Sequence, residues 1–468
     1  MVPFFPRQIS TRAIFVYVAS LLIIQVVYFN YAMPVGYIAL GIVSVVGFFM
    51  FTNQWTHTWK LKNEKYFLRY LFLIAVSIRL IWVIGSYFYY LSATGTPFEF
   101  DAADSMGYHE TALWLYNSPW SVAFDYFFGP YSPGVSDSGY ALYLTLVYKI
   151  FGTGIIIPRI LKAFISAYTC ILIYRIAYNN FGESTARMAA IMCALMPNFI
   201  IYCGYHLKEI EMIFLEVLFL ERADHLIRSK KFTFINLLVP SLLAGSLFLF
   251  RTVLGAAAVF AIATAVLFSN SPNLKMNQRR LAIIGWGILC LAVISGGTIM
   301  TEIEGYWEEK GDNASQKRLE QTLRGNRWAH YATGAVMAPM IYVLPFSTMV
   351  NVDQQYGQQE KHGGNYVRNF MAFFAIMGVY EALRRKKWRD FSLIGAFVLS
   401  YLGVVALSGF SNSERFLLPG LPCLILIWAY GVSTLRRKTY RLLNPWCAAV
   451  FLMEFAWAYF KLGSRGLF

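Results

Sequence analysis

The feature that most constrains this chain is the recurrence of apolar runs long enough to cross a bilayer, about 20 residues each. They fall near 12–30, 33–51, 67–91, 159–179, 187–204, 207–227, 232–250, 252–269, 281–300, 368–383, 390–409, 415–434 and 444–461. That makes about thirteen predicted spans. In hydrocarbon every backbone polar group must be satisfied within the segment itself, so such runs fold as helices. Composition agrees: 57% of the 468 residues are hydrophobic and 14% are charged, against roughly 25% charged in soluble domains. A disordered, collagen-like or disulfide-stapled chain is excluded, as is a set of charge-coated soluble domains. The predicted fold class is an all-α polytopic membrane protein.

The net charge of +15 would suggest a nucleic-acid partner in a soluble protein. Its distribution argues otherwise. Basic clusters fall on alternate connections: Arg7 and Arg12; Lys60, Lys62, Lys65 and Arg69; Arg175 and Arg187; Arg222, Arg228, Lys230 and Lys231; Lys275, Arg279 and Arg280; Arg384 to Arg389; and Arg436 to Arg441. Together they hold 24 of the 40 Lys and Arg residues, on one side. The positive-inside rule makes that side the cytoplasm, and no nucleic acid is required. The first apolar run is too long for a signal peptide and lacks a small-residue cleavage site, so it is read as a retained helix. All six cysteines lie in or at the ends of predicted spans without metal-ligand spacing. They read as packing residues.

Four sections follow. Residues 1–66 form a two-span addition and a cytoplasmic loop. Residues 67–300 form a core with a first outer loop at 92–158. Residues 301–367 form a second outer loop, and 368–468 the C-terminal helices. The first loop carries Glu99, Asp101, Asp104, Glu110, Asp125 and Asp137 against Lys149 alone. Its apolar, Tyr-rich segment from Gly139 to Gly152 is too short to span and is placed along the interface. In the second loop, the apolar stretch Val336 to Val350 is interrupted by Pro339 and Pro345, a pattern for a segment lying in the interface or dipping into a cavity. His330 and His362 read as exposed loop histidines. No internal repeat is visible, which speaks against a transporter.

Three groups could carry chemistry. Asp101 and Asp104 lie three apart before Tyr108 and His109. An Asp at a helix start caps free amides, and a carboxylate there also suits proton abstraction from a hydroxyl; the residues support both. His206, Lys208, Glu209 and Glu211 open the sixth span. Lys208 can snorkel and Glu209 can favour a helix start, but Glu211 lies deeper and needs a partner such as Arg79, Arg159 or Lys162. Finally Arg159, Lys162, Arg251 and Arg415, the last beside Glu414, sit at outer ends where the charge rule gives no reason for them. Opposite an acidic loop they suit a phosphorylated substrate, since guanidinium groups fork onto phosphate oxygens.

The order of these elements resembles the GT-C superfamily of membrane glycosyltransferases, in particular the branch of protein O-mannosyltransferases and the lipid A aminoarabinose transferase. The resemblance runs from about Tyr70 to about Pro422. It rests on Asp104-Ser105-Met106-Gly107-Tyr108, the segment Gly139 to Gly152, Arg159-Ile160-Leu161-Lys162-Ala163, Asn180-Phe181-Gly182, Ala194-Leu195-Met196-Pro197, His206-Leu207-Lys208-Glu209 and Glu414 to Pro419. The family's Asp-Glu pair is here Asp104-Ser105, and its Pro-Pro element is replaced by Asp137-Ser138-Gly139-Tyr140.

The resemblance implies transfer of a sugar from a polyprenyl-phosphate carrier to a lipid, glycan or protein acceptor on the outer face. Asp104 takes the role of general base, with Asp101 as the neighbour able to replace it, and inversion is implied. Arg251, Arg415, Arg159 and Lys162 are the candidates for the donor phosphate; Lys208, Glu209, His206, Tyr108 and Glu414 for holding the acceptor or orienting the carboxylates. A phosphate leaving group requires no cofactor, though a divalent metal can be accommodated. The implied location is a bacterial inner membrane with the site facing the periplasm. An O-antigen polymerase or ligase and a lipid-linked sugar transporter share many of these features; the early Asp motif favours the transferase. A GT-C enzyme is also expected to hold Asp104 in a cavity under the first loop.

Overall fold

The computed structural model describes residues 4–129, 136–229, 233–268, 340–352, 355–407, 413–463 and 467, and every regular element among them is helical. The elements are α1 (Arg7–Val27), α2 (Val35–Thr58), α3 (Glu64–Thr94), α4 (Ala103–Asn117), α5 (Trp120–Phe128), α6 (Ser138–Phe151), α7 (Ile156–Phe181), α8 (Glu183–Leu195), α9 (Pro197–Cys203) and α10 (Glu209–Arg228). They continue with α11 (Phe234–Phe250), α12 (Thr252–Phe268), α13 (Tyr356–Glu360), α14 (His362–Arg384), α15 (Ser392–Leu407), α16 (Glu414–Leu417), α17 (Leu421–Ser433), α18 (Arg437–Tyr440) and α19 (Leu443–Gly463).

The protein is an integral membrane protein by the length and apolarity of these helices. Five segments are long and apolar enough to cross: α1, α2, α3, α7 and the run from Glu414 to Ser433. The pair α8 and α9, bent by 44°, makes a sixth. The expected span 187–204 is therefore two pieces. Pro197 starts α9 and lacks the N–H that would continue α8. Arg79 of α3 takes up the carbonyls released at the break, donating from Nη1 to Ala194 O at 3.0 Å and from Nη2 to Cys193 O at 3.3 Å. Helix α10 interrupts its apolar run with Glu209, Glu211, Glu216, Glu221, Arg222, Asp224 and Arg228. Helices α11, α12 and α15 are apolar but shorter than a span, and the expected span 281–300 lies outside the described residues.

The segment expected as the first outer loop holds three short helices, α4 to α6. At 14 residues, α6 is about 21 Å long, short of a membrane's hydrocarbon thickness. It packs on α4 and α11. Of the segment expected as the second outer loop, residues 340–352 are tucked inside the protein: Leu344, Met349 and Val350 are fully buried. Asn369 donates to Pro345 O at 2.9 Å, and Gln25 to Met349 O at 2.7 Å.

Residues 362–367, expected in that loop, are the first turns of α14. His362 is buried there and bonded to Tyr17, not an exposed loop histidine. Glycine permits this packing: a Cβ at Gly364 would lie 2.3 Å from Asn198 Oδ1, and one at Gly363 3.0 Å from the backbone of Gly41. His330 lies outside the described residues. Helices α1 and α2 pack on α14 and α19 as well as on each other, so the N-terminal pair is built into the C-terminal bundle.

Candidate active site

The site begins with the irregular segment between α9 and α10, residues 204–208. Lys162, one of the buried cations of α7, donates from Nζ to Tyr205 O at 2.8 Å and to Leu207 O, and faces Glu211 Oε2 at 3.6 Å. Glu211 thus finds its cation in Lys162, while Arg79 is spent on the α8 break. One turn earlier on α7, Arg159 lies 3.6 Å from Glu99, both buried. Glu99 accepts from Ser105 Oγ and, at 3.3 Å, from the His206 amide. These contacts fix the start of α4 against the 204–208 segment. Ser105 faces inward and Asp104, its neighbour, faces out with its side chain 59% exposed.

Above this floor the acidic and basic candidates meet. Arg415 pairs through Nη1 with Asp104 and through Nε with Glu209 Oε1 at 2.8 Å. Arg251 reaches the same Glu209 oxygen at 4.0 Å and donates to Tyr401 Oη at 2.9 Å. Tyr401 in turn donates to Phe416 O at 2.8 Å, and the Arg251 guanidinium stacks 4.4 Å over the Phe416 ring. Lys208 donates to Phe250 O at 2.7 Å and pairs with Asp137. Residues from five separated stretches of chain converge: the start of α4, Asp137 before α6, the start of α10, the α11–α12 junction and the start of α16. The reason lies at helix ends. Arg251 joins α11 to α12, and Glu209 and Arg415 open their helices, so each charge sits at a helix end.

A second branch runs through aromatic and imidazole groups. His109 Nδ1 lies 2.7 Å from Tyr148 Oη, which lies 3.2 Å from His206 Nε2. Burial lowers the pKa of both histidines, His206 well below its ordinary value, with Lys162 and Arg159 adding to its shift. Tyr108 packs edge-on against Tyr140, centroids 5.1 Å apart, and burial raises its phenol.

Glu414 is buried on the other side of Arg415. It accepts from Asn198 Nδ2 and pairs with Lys361 Nζ at 3.2 Å. Next to Lys361, Glu360 accepts from Tyr90 Oη at 2.6 Å and Tyr205 Oη at 2.8 Å. Glu99, Asn198, Glu360 and Lys361 were not singled out from sequence as site residues. Only Glu99 carried a signal there, as one carboxylate of the acidic loop.

Asp101 is exposed in the turn before α4, with φ at +59°, and no described contact joins it to the cluster. Nor is Asp104 held in either of two sizeable cavities. The groove between α2 and α3, about 640 Å³, reaches Glu360 instead. Among the described residues no three His, Cys, Asp or Glu side chains converge on a metal position.

The model of the Alg9-like mannosyltransferase family matches residues 108–462. The chain belongs to this family. That family lies within the GT-C superfamily of membrane glycosyltransferases, to which the motif order pointed through another of its branches. The matched region takes in Lys208, Glu209, Arg251 and Arg415 and begins four residues after Asp104. Among solved structures, the chain is similar to the oligosaccharyltransferase AglB of Archaeoglobus fulgidus. In its complex with an inhibitory peptide and a dolichol-phosphate, identity is 16% and the TM-score 0.46, over 87% of this chain and 56% of that one. In the form tethered to an acceptor peptide, identity is 15% and the TM-score 0.48, over 87% and 55%. The chain thus spans a little over half the length of those oligosaccharyltransferases. No curated protein matches it.

Proposed function

We propose that the protein transfers a sugar, mannose by the family's name, from a polyprenyl-phosphate carrier to a hydroxyl acceptor, lipid, glycan or protein, with inversion and with Asp104 as general base. The observation that carries this reading is the Asp104–Arg415–Glu209–Arg251 chain of contacts at converging helix ends. It sets the exposed carboxylate of Asp104 on Arg415 and the buried carboxylate of Glu209 on both Arg415 and Arg251.

The charge arrangement suits a phosphate. Asp104 and Asp137 are half-exposed, whereas Glu209 is fully buried. When a donor phosphate arrives it can replace Asp104 on Arg415, while Lys208 keeps its pairing with Asp137 on the acceptor side. Glu209 stays behind and keeps Arg415 aligned through Nε, leaving its terminal nitrogens for the phosphate. Release from Arg415 leaves Asp104 free to accept the acceptor's proton as the hydroxyl attacks the anomeric carbon. The guanidinium pair stabilises the charge that grows on the departing phosphate.

Arg159 and Lys162, read from sequence as donor ligands, are assigned another role. Their contacts are Glu99, Glu211 and the 205–207 carbonyls, so they position the floor that presents Asp104 and Lys208. Asp101 keeps only the role of a neighbour that can be tested against Asp104. Tyr108, His206 and Glu414 line or support the acceptor side. About thirteen spans, the inner bacterial membrane and the periplasmic face remain part of the proposal.

Transfer is tested with radiolabelled polyprenyl-phosphate mannose and purified full-length protein in nanodiscs, following release of polyprenyl phosphate. Wild type is expected to release it when a hydroxyl acceptor is supplied, and Glu209→Gln to lose most of that release. Absence of release with every lipid, glycan and peptide acceptor tried overturns the donor assignment. Orientation is tested separately. In a cysteine-free background, Glu110→Cys is expected to be labelled from the outer face and Lys386→Cys only after permeabilisation. The reverse pattern overturns the shared outer face.

A further inference from the structure

At the end of the protein that carries the basic clusters, α1 and α19 run side by side and leave a groove of about 680 Å³ between them. The volume falls within the roughly 300–1,000 Å³ typical of small-molecule sites. Its walls are apolar: Phe15 and Leu452 stand 72% and 63% exposed, with Ala19, Ala448 and Phe451 between them. Aromatic and aliphatic side chains exposed on a membrane span face acyl chains.

The polar end of the groove is unlike the rest. Arg12 lines it, and no carboxylate among the described residues pairs with its guanidinium. Its Nη1 is buried with no hydrogen-bond partner, and the Tyr440 hydroxyl is buried and unbonded too. The guanidinium lies 5.2 Å over the Tyr440 ring, so both unsatisfied donors are at one place. A buried donor without a partner is destabilising, and here two coincide with an uncompensated positive charge. Exposed Arg441 follows Tyr440 in the chain. No Asp or Glu lines the groove to receive a cationic headgroup.

We propose that this groove binds one anionic diacyl phospholipid, its phosphate on Arg12 and Tyr440 and an acyl chain along Ala19, Ala448 and Phe451. The charge complementarity selects the occupant. A zwitterionic lipid would fill the same apolar space, but its ammonium group would meet a cation-rich end with no carboxylate to offset it. Juxtamembrane basic residues attract anionic lipid in general. This groove adds a seat for one. It lies away from the outer cluster, so the inference stands or falls apart from the transferase reading.

The test is native mass spectrometry of the full-length protein in detergent, titrated with phosphatidylglycerol or with phosphatidylcholine of the same acyl chains. Wild type is expected to retain one phosphatidylglycerol about tenfold more tightly than phosphatidylcholine, the worth of one charge-assisted contact. Arg12→Gln is expected to erase that preference. Ala448→Phe, which fills the apolar part, is expected to weaken both lipids while keeping the preference. Equal retention of the two lipids by wild type overturns the proposal, as does an undiminished preference in Arg12→Gln. Should Arg12→Gln not fold, Tyr440→Phe takes its place, with a reduced preference expected and an unchanged one counting against the site.

Discussion

Two buried polar networks among the described residues differ in whether they open. The outer one ends on half-exposed Asp104 and Asp137 and holds several charges in ion pairs. The other lies where α1, α14 and α19 meet the 340–352 segment. There Ser347 Oγ donates to Glu454 at 3.1 Å, Tyr17 bonds His362 at 2.7 Å, and Tyr366 donates to Ala13 O at 2.7 Å, all buried. The sealed network is satisfied almost wholly by hydroxyls, amides and carbonyls. The open one keeps charges whose partners solvent or substrate can replace. The contrast teaches that buried polarity alone does not mark a site in a membrane protein; exchangeable partners do.

The largest expected effect breaks the comparison at its open end. Asp104→Asn keeps shape and hydrogen bonding but removes the proton acceptor. Transfer should fall by roughly 10²–10⁴-fold, with donor binding little changed. Asp101→Asn should be close to wild type, because nothing in the cluster touches it. The reverse outcome in the release assay would move the base to Asp101.

Next come the guanidinium groups. Arg251→Ala and Arg415→Ala should weaken donor binding and slow transfer together, and Lys at either position should recover only part, because a point charge cannot reproduce the fork. Lys208→Ala should slow transfer with donor affinity largely kept if Lys208 serves the acceptor side. Binding of polyprenyl-phosphate mannose to each purified variant separates these outcomes. Unchanged affinity in both Arg variants would reduce these residues to structural anchors.

How much of this was legible in the sequence follows from what each level of structure depends on. Spans such as α1, α2, α3 and α7 were legible because burial in lipid is set by composition over about 20 residues. The run 187–204 reads as one span, and the break at Pro197 went unmarked; its consequence depended on Arg79, more than a hundred residues away. Asp104, Lys208, Glu209, Arg251 and Arg415 were singled out one by one, as charges at helix starts and expected span ends. Their pairing was not, since no local rule says that Arg415 rather than Arg159 faces Asp104. Lys361 and Glu360 escaped notice because the apolar 340–352 segment that leads to them packs inside the bundle. His362 was misread for the same reason.

A smaller effect tests the imidazole branch. Both His109 and His206 have folded-state pKa values below the ordinary 6.5, so the unfolded chain binds their protons first as pH falls. Their contribution to stability is therefore full above about pH 6.5 and is lost below it, by about 1.4 kcal/mol per pH unit for each proton taken up. Thermal unfolding followed between pH 7.5 and 5 should show falling stability toward the acid end. His206→Gln should flatten that slope. An unchanged slope would place the acid sensitivity elsewhere.

The smallest effect on transfer is expected at the sealed end, and there stability is the readout. His362 Nδ1 lies 2.6 Å from Gln359 O, and a carbonyl can only accept. Nδ1 therefore carries the proton, and Nε2 accepts from the Tyr17 hydroxyl. Tyr17→Phe removes that donor and leaves a buried acceptor without a partner, a loss of about 1–3 kcal/mol. Gly41→Ala strikes the same contact harder. Its Cβ would lie 2.1 Å from His362 Nε2 and 2.3 Å from Tyr17 Oη, so α2 or α14 has to move. Both variants should unfold at lower temperature, Gly41→Ala by more, while the surviving protein transfers sugar at the wild-type rate per folded molecule. A Tyr17→Phe protein that is as stable as wild type but slow in transfer would reverse the distinction, because the sealed network would then be coupled to the chemistry through Lys361, the residue beside His362 that reaches Glu414.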